Sequence, residues 1–310
     1  MAAPRFMFRN GEIVPFEDGT IHIAAPAVKY GIGVFEGVRG YWNDVDNQLY
    51  VFRLREHMER LKQSMKLLRL EDAYAVEDLM DGMVRMIRAN EFRTTIQMRV
   101  VALLDGVSTL RPAMGPVMLC MHGSPKEPHD FLETGLKAGT SSWIRPSDNS
   151  LPVRVKCNAN YVNARLAELE AKAGGFDRAV LLNARGKVAE GPAATMFIVR
   201  KGQPLTPGVT SDILESITRD TLIHILKEEF DLATVQRDID RSEIYTADEA
   251  FLCGTLAEVS PIVSLDGIPI GDGAVGPIGP ITRALQERYR DIVYGRSNTH
   301  PEWRTPVYAG

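Results

Sequence analysis

A lysine closes the run Val153-Arg154-Val155-Lys156, just ahead of the polar stretch Cys157-Asn158-Ala159-Asn160. On a strand, Val153 and Val155 share one face, and Arg154 and Lys156 the other. A strand-end lysine drawn out of water by an apolar domain presents an amine that attacks aldehydes. Left in solvent, it is an ordinary surface residue. Glu190-Gly191-Pro192 falls between two apolar runs. A carboxylate on that turn can meet a protonated ring nitrogen, or simply stand in water. Ser216-Ile217-Thr218-Arg219-Asp220 opens a helical pattern. Helix N-termini bind phosphate through unsatisfied N–H groups and the dipole, and the same hydroxyls serve equally well as N-caps. Arg55, in Phe52-Arg53-Leu54-Arg55-Glu56-His57, carries the planar fork that suits phosphate. It can also pair with Glu59 one helical turn on. Gly254-Thr255-Leu256 ends a strand pattern and offers hydroxyl and N–H donors to an anion, or forms a plain turn.

The elements that must carry these residues follow from hydrophobic periodicity. FMFRNGEIVPF is two short apolar runs joined by Asn10-Gly11, a hairpin signal. QLYVFRL predicts a strand running into a helix with Leu61, Met65 and Leu68 at helical spacing. A second helix places Val76, Leu79, Met80, Met83 and Ile87 on one face, and TIQMRVVALL and PVMLCMH follow as strands. GSPKEPHDFLETG, rich in proline, glycine and charge, predicts an interdomain linker over 123–135. It separates a smaller N-terminal domain, 1–122, from a larger C-terminal one, 136–310. In the second, LKAGTSSW and VRVKCNAN read as strands, and a helix runs from about Tyr161 to Lys172 until Gly174-Gly175 stops it. RAVLLN and ATMFIVR are strands around the turn NARGK, SITRDTLIHILKEEF is a helix, and DEAFLCGT is a strand. VSPIVSLDGIPI is a hairpin around Asp266-Gly267, and a last helix begins near Pro280. Irregular alternation with frequent hairpins implies α+β domains with mixed sheets and flanking helices rather than a doubly wound sheet.

Composition sets the limits. The 310 residues are 45% hydrophobic and 25% charged with a net charge of −4, ordinary globular values that exclude wholesale disorder and a basic nucleic-acid surface. Cys120, Cys157 and Cys253 lie far apart, with no paired-cysteine or Cys/His spacing, so neither a metal site nor a disulfide framework is expected. No secretory leader pattern opens the sequence and no apolar run approaches a membrane span. A reducing, cytoplasmic compartment is the expectation.

Six blocks occur in order: YGIGVFEGVRGY (Tyr30 to Tyr41), VFRLREHMERL (Val51 to Leu61), KCNANY (Lys156 to Tyr161), EGPAATMFIV (Glu190 to Val199), SITRDTL (Ser216 to Leu222) and DEAFLCGTLAEVSPI (Asp248 to Ile262). Together they resemble the class IV, fold type IV aminotransferases that use pyridoxal 5'-phosphate, above all the branched-chain amino acid aminotransferases. The resemblance runs from about Arg9 to Leu285. It implies the two-domain fold of the D-amino acid aminotransferase type, with the cofactor in the larger domain, and a homodimer. It implies transfer of an amino group from an L-branched-chain or related hydrophobic amino acid to 2-oxoglutarate. By the resemblance Lys156 is the Schiff-base lysine, Tyr161 bonds the cofactor's phenolic oxygen and Glu190 its ring nitrogen. Arg55, Ile217, Thr218 and Thr255 form the phosphate cup. Tyr30, Phe35 and Arg39 line the substrate pocket, Tyr30 lent by a partner subunit. Arg99 receives the second carboxylate of the dicarboxylic substrate, and Thr255, Leu256 and Ala257 hold the α-carboxylate.

The cofactor needs a lysine nucleophile, an acid at its ring nitrogen and a cationic, helix-terminal phosphate site. The sequence offers a candidate for each. It departs from the family pattern at Pro192-Ala193-Ala194-Thr195, at Gln97 where a tyrosine is frequent, and in the loop Val107 to Pro112. Other activities of the same fold, a D-amino acid or (R)-amine transaminase and an aminodeoxychorismate-type lyase, stay open beside the first reading. So does a cofactor carrier without turnover.

Overall fold

The computed structural model describes residues 4–107, 113–129, 131–272 and 278–308. The chain divides into two compact units: residues 1–127, 155–159 and 291–310 form the first, residues 128–154 and 160–290 the second.

In the first unit β1 (Phe6–Arg9) and β2 (Glu12–Pro15) pair with Arg9 opposite Glu12. The loop left over is Asn10-Gly11, with φ of 48° and 98°, the mirror-image turn that matches strand twist. Then come α1 (Pro26–Tyr30), β3 (Gly33–Asn43), β4 (Gln48–Phe52), α2 (Leu54–Leu67), α3 (Val76–Asn90), β5 (Ile96–Leu104) and β6 (Val117–Pro125). With the C-terminal strand Arg304–Pro306 they build an antiparallel sheet in the order C-terminal strand, β4, β3, β5, β6, β1, β2. On α2, Leu54, Met58, Leu61 and Met65 are buried, as the spacing requires. On α3, Leu79, Met83, Met86 and Ile87 are buried. Burial alternates strictly along β5. Ile96 and Met98 point into the core, and Gln97 and Arg99 share the other, half-buried face.

The second unit holds α4 (Phe131–Thr134), β7 (Leu136–Thr140), α5 (Asn160–Ala173), β8 (Arg178–Val180), β9 (Thr195–Arg200), β10 (Gln203–Thr206), α6 (Ile217–Phe230), β11 (Val235–Gln236), α7 (Arg241–Tyr245), β12 (Glu249–Gly254), β13 (Glu258–Leu265), β14 (Ile268–Pro269) and most of α8 (Pro280–Val293). Its sheet runs β11, β10, β9, β12, β13, β7, β8, with β14 on β13. It is mixed: β10/β11, β13/β7 and β7/β8 are parallel and the rest antiparallel. Its core gathers Val180, Val188, Met196, Ile198, Leu252 and Ile262. The α+β, mixed-sheet reading holds.

Three details differ from expectation. β6 continues to Pro125, into the first residues of the 123–135 linker, because Ser124 and Pro125 pair with Gln97 and Ile96 of β5. The C-terminal strand, β15 (Arg304–Pro306), belongs to the first sheet, paired with β4. Residues 153–156 form turns rather than a strand: the Cys157 N–H donates to Val155 O at 2.9 Å, closing a γ-turn around Lys156. Val153 and Val155 are buried at 2% and 1% exposure all the same. The period-two alternation is real, but a turn produces it. Residues 108–112 of the Val107 to Pro112 loop lie outside the described residues. Among the described residues no helix is long and apolar enough to cross a membrane, and no His/Cys/Asp/Glu group could hold a metal ion.

Candidate active site

In the first unit, β3 is the platform. The Phe35 N–H donates to Lys156 O at 2.9 Å and the Asn158 N–H to Gly33 O at 3.0 Å, so the lysine's segment hangs from the strand's first residues. Its other anchor is α2, where Ser64 Oγ lies 3.3 Å from the Lys156 N–H and accepts from it. Main-chain bonds on two elements therefore fix where the amine starts. Lys156 Nζ lies 5.0 Å from the Phe35 ring centroid, and the Arg99 guanidinium 4.5 Å from the same centroid. The β3–β5 register explains the second contact: Phe35 is opposite Val101 and Gly37 opposite Arg99, so Phe35 and Arg99 project from one face. An amine and a guanidinium thus share one aromatic ring.

Arg39 also lies on that face, opposite Gln97. It is buried at 1% exposure, its Nη2 donates to Lys126 O at 3.2 Å, and its guanidinium lies 5.3 Å from the Tyr41 ring. Tyr30 ends α1 and is half exposed, with Lys29 Nζ 5.4 Å from its ring.

Glu36 points to the opposite face of β3, toward α2. Its carboxylate accepts from Arg60 Nε and Nη2, both at 2.7 Å, and lies 2.8 Å from His57 Nδ1. Burial alone would raise this carboxyl's pKa, but the Arg60 guanidinium and the hydrogen bonds from His57 and Arg60 outweigh it and hold the value at about 2. His57 is pushed down, first by burial, against the upward pull of Glu36. The expected cation, Arg55, turns outward. It is half exposed and pairs with Glu77 on α3 at 2.9 Å, not with Glu59. The helical wheel gives the reason: Arg55, Glu59 and Lys66 form the solvated stripe of α2, while His57, Arg60, Leu61 and Ser64 face inward. Arg60, one turn before Ser64, is the buried arginine of this unit nearest in sequence to the lysine's anchor.

In the second unit Glu190 is 4% exposed, so it does not stand in water. Arg145 Nη2 lies 2.5 Å from its Oε1, and the Leu214 N–H donates to its Oε2 at 3.3 Å. The arginine has no counterpart in the sequence reading: Trp143-Ile144-Arg145-Pro146 carries no periodic or motif signal, and its partner is distant in the chain. Ser216 caps α6, its Oγ accepting from the Arg219 N–H at 3.2 Å. Ile217 and Thr218 occupy the first turn, exposed by 9% and 3%. Capping and anion binding are compatible here, since the cap engages the third N–H and the helix-end dipole remains. Tyr161 is in the first turn of α5. Thr255, Leu256 and Ala257 form the half-buried turn between β12 and β13. A Cβ on Gly254 would come within 3.3 Å of Ala193 O, so glycine lets the 192–194 segment lie against this turn. Pro192, Ala193 and Ala194, where the sequence departs from the family pattern, line a cavity of about 350 Å³ together with Leu256, Ala257 and Phe131. The departure makes that wall apolar.

Comparison with known proteins gives consistent answers. The model of the amino-transferase class IV family matches residues 33–265. A probable branched-chain-amino-acid aminotransferase of Aquifex aeolicus is 40% identical, over 98% of this chain and 97% of that protein. The branched-chain amino acid aminotransferase of Thermobaculum terrenum, solved in its PLP-form, superposes with a TM-score of 0.92 at 41% identity, covering 100% of both chains. The branched-chain aminotransferase of Thermoproteus uzoniensis, solved with norvaline, also gives 0.92, at 38% identity over 98% of this chain and 100% of that one.

Proposed function

The chain belongs to the amino-transferase class IV family, and from that premise we propose that it is a pyridoxal-phosphate-dependent branched-chain amino acid transaminase with 2-oxoglutarate as acceptor. The observation that carries the reading is the Phe35 ring, with the Lys156 amine at 5.0 Å and the Arg99 guanidinium at 4.5 Å. The lysine amine suits an aldehyde, the guanidinium a carboxylate, and the ring they share an aliphatic side chain.

The residues present fit the cofactor. Glu190 is a buried carboxylate already paired with a cation, the form a ring nitrogen bearing a proton requires. The start of α6 supplies a 14-residue helix end for phosphate. Bound, pyridoxal phosphate supplies the aldehyde carbon that takes up the amino group and a ring that withdraws electrons from it. Lys156 Nζ holds the cofactor and moves the proton of the substrate's Cα. Tyr161 bonds the phenolic oxygen, and Glu190 keeps the ring nitrogen protonated. Ile217, Thr218 and Thr255 take the phosphate, while Thr255, Leu256 and Ala257 hold the α-carboxylate. Arg39, whose buried guanidinium binds Lys126 O, stiffens the pocket wall behind Phe35.

For the phosphate's cation we replace Arg55 by Arg60, on the ground of burial and of its shared α2 face with Ser64. Arg60→Lys keeps a charge beside Glu36 but loses the fork. It should weaken pyridoxal phosphate binding to the apoenzyme by about tenfold, the low end for a hydrogen bond to a charged group. Arg55→Ala removes only a surface ion pair, and affinity should stay within about threefold. Titration by protein fluorescence decides it. A larger loss in Arg55→Ala would return the role to Arg55.

Arg99 should decide the acceptor. A charge-assisted bond to the second carboxylate is worth about 1.5–3 kcal/mol, so Arg99→Ala should lower kcat/KM for 2-oxoglutarate roughly ten- to a hundredfold. Leucine and pyruvate, which lack that carboxylate, should change little. Equal losses for leucine and 2-oxoglutarate would make Arg99 a scaffold residue. The same assay, run with L- and D-amino acids and (R)- and (S)-amines, tests the stereochemistry.

The homodimer belongs to this reading too. Ala25 is buried in its own unit, yet Ile23, Val28 and Tyr30 around it are exposed by 76%, 43% and 46%, an apolar surface suited to a second copy. A cytoplasmic setting agrees with three buried, unbridged cysteines.

A further inference from the structure

Arg145 follows β7 in a stretch with no regular structure, yet its place is tightly defined. Its N–H donates to Leu182 O at 2.9 Å, while the Leu181 N–H donates to Glu190 O at 2.9 Å and the Ala189 N–H to Leu181 O at 2.9 Å. The two members of the ion pair are therefore tied by main chain to adjacent residues, Arg145 to Leu182 and Glu190 to Leu181. Their side chains meet at 2.5 Å with 6% and 5% of the side-chain surface exposed. Such a contact is built by backbone, unlike surface pairs whose long side chains must be ordered at an entropic cost.

Three titratable groups, Arg145, Arg219 and Cys253, interact with Glu190. Arg145 touches it. Arg219, on α6, acts from further off. Its guanidinium is engaged with Thr206 Oγ1 at 3.1 Å, Pro207 O at 2.9 Å and Gln236 Oε1 at 2.9 Å. The Cys253 thiol on β12 is pushed up to about 12, first by burial, and stays neutral. Arg145 is thus a cation in direct contact with the carboxylate. A carboxylate this deeply buried without such a partner takes up a proton.

We propose that Arg145 is a positioning residue that sets the charge of Glu190 before the cofactor binds, holding one oxygen and keeping the group ionised so that the ring nitrogen meets a carboxylate and draws its proton from solvent. This rests on the assignment of Glu190 to the ring nitrogen. A merely structural ion pair would hold the loop but leave the origin of that proton unchanged.

The probe is pyridoxamine 5'-phosphate, which needs no covalent step, titrated into the apoenzyme by calorimetry in buffers of different ionisation enthalpy at mildly alkaline pH. The slope gives the protons taken up on binding. In Arg145→Met, Glu190 enters protonated and hands its own proton to the ring, so uptake should fall by about one proton relative to wild type. Arg145→Lys should restore it. In a Glu190→Gln background, adding Arg145→Met should change nothing. Wild-type uptake in Arg145→Met overturns the proposal. If Glu190→Gln alone leaves uptake unchanged, the ring assignment itself fails and the proposal with it. Should Arg145→Met not fold, the carboxyl carbon resonance of Glu190 in the wild-type apoenzyme still decides: ionised from mildly acid to mildly alkaline pH supports the proposal, and titration within that range overturns it.

Discussion

Lys156→Ala abolishes the visible absorbance of lysine-bound pyridoxal phosphate and reduces turnover to background, with the fold retained. Two functions disappear together. The variant cannot hold the cofactor covalently, and it has no amine to move the Cα proton, a step worth about 10²–10⁴ in rate by itself. The fold should survive because the segment is anchored through main chain: Lys156 O accepts from Phe35 N–H, and Lys156 N–H donates to Ser64 Oγ. Neither bond uses the side chain. Circular dichroism, absorbance and a transamination assay on one preparation make the check. A cofactor adduct that borohydride still fixes onto the variant would move the attachment to another lysine.

Glu190→Gln keeps the cofactor bound but slows proton transfer by roughly a hundred- to a thousandfold, the usual cost of losing one preorganised electrostatic group in a dry site. Glutamine fills the same volume and can still meet Arg145 through its carbonyl oxygen, so packing is nearly unchanged. It cannot hold a positive ring nitrogen, and without that charge the ring withdraws electrons poorly. Single-turnover kinetics with leucine, alongside cofactor retention, measure the effect. Near wild-type rates would show that Glu190 serves only its ion pair with Arg145.

The sequence is most legible where the chemistry is local. Asn10-Gly11 and Asp266-Gly267 both turn hairpins, since each puts two residues at positive φ. The α2 and α3 faces follow from spacing alone, and Ser216 caps α6 as a serine in that position should. Lys156 stands on a turn and not on the strand its neighbours' spacing predicts, because a γ-turn against β3 and α2 buries alternate residues just as a strand does. Arg55 draws attention by its place at the strand–helix junction; the helical wheel, applied to charged residues as well as apolar ones, separates it from Arg60. Glu36 leaves a signal too: an acid inside the apolar run Val34-Phe35-Glu36-Gly37-Val38 must be paired if buried. Arg145 leaves none, because its partnership with Glu190 arises from main-chain attachment to the neighbouring residues Leu182 and Leu181, distant from Arg145 in the chain.

The first sheet has a consequence for synthesis. Its strand β4 is complete by Phe52, but β4's neighbour on one side, β15, arrives only with residues 304–306. The five residues that carry Lys156 likewise reach β3 after more than a hundred intervening positions have been made. A chain emerging vectorially must therefore hold an open β4 edge while the whole second unit is translated, and closing it costs a long loop's entropy. Tyr50, Val51 and Phe52 line that edge. Until β15 docks, they are a stretch of nascent chain open to pairing with the wrong strand.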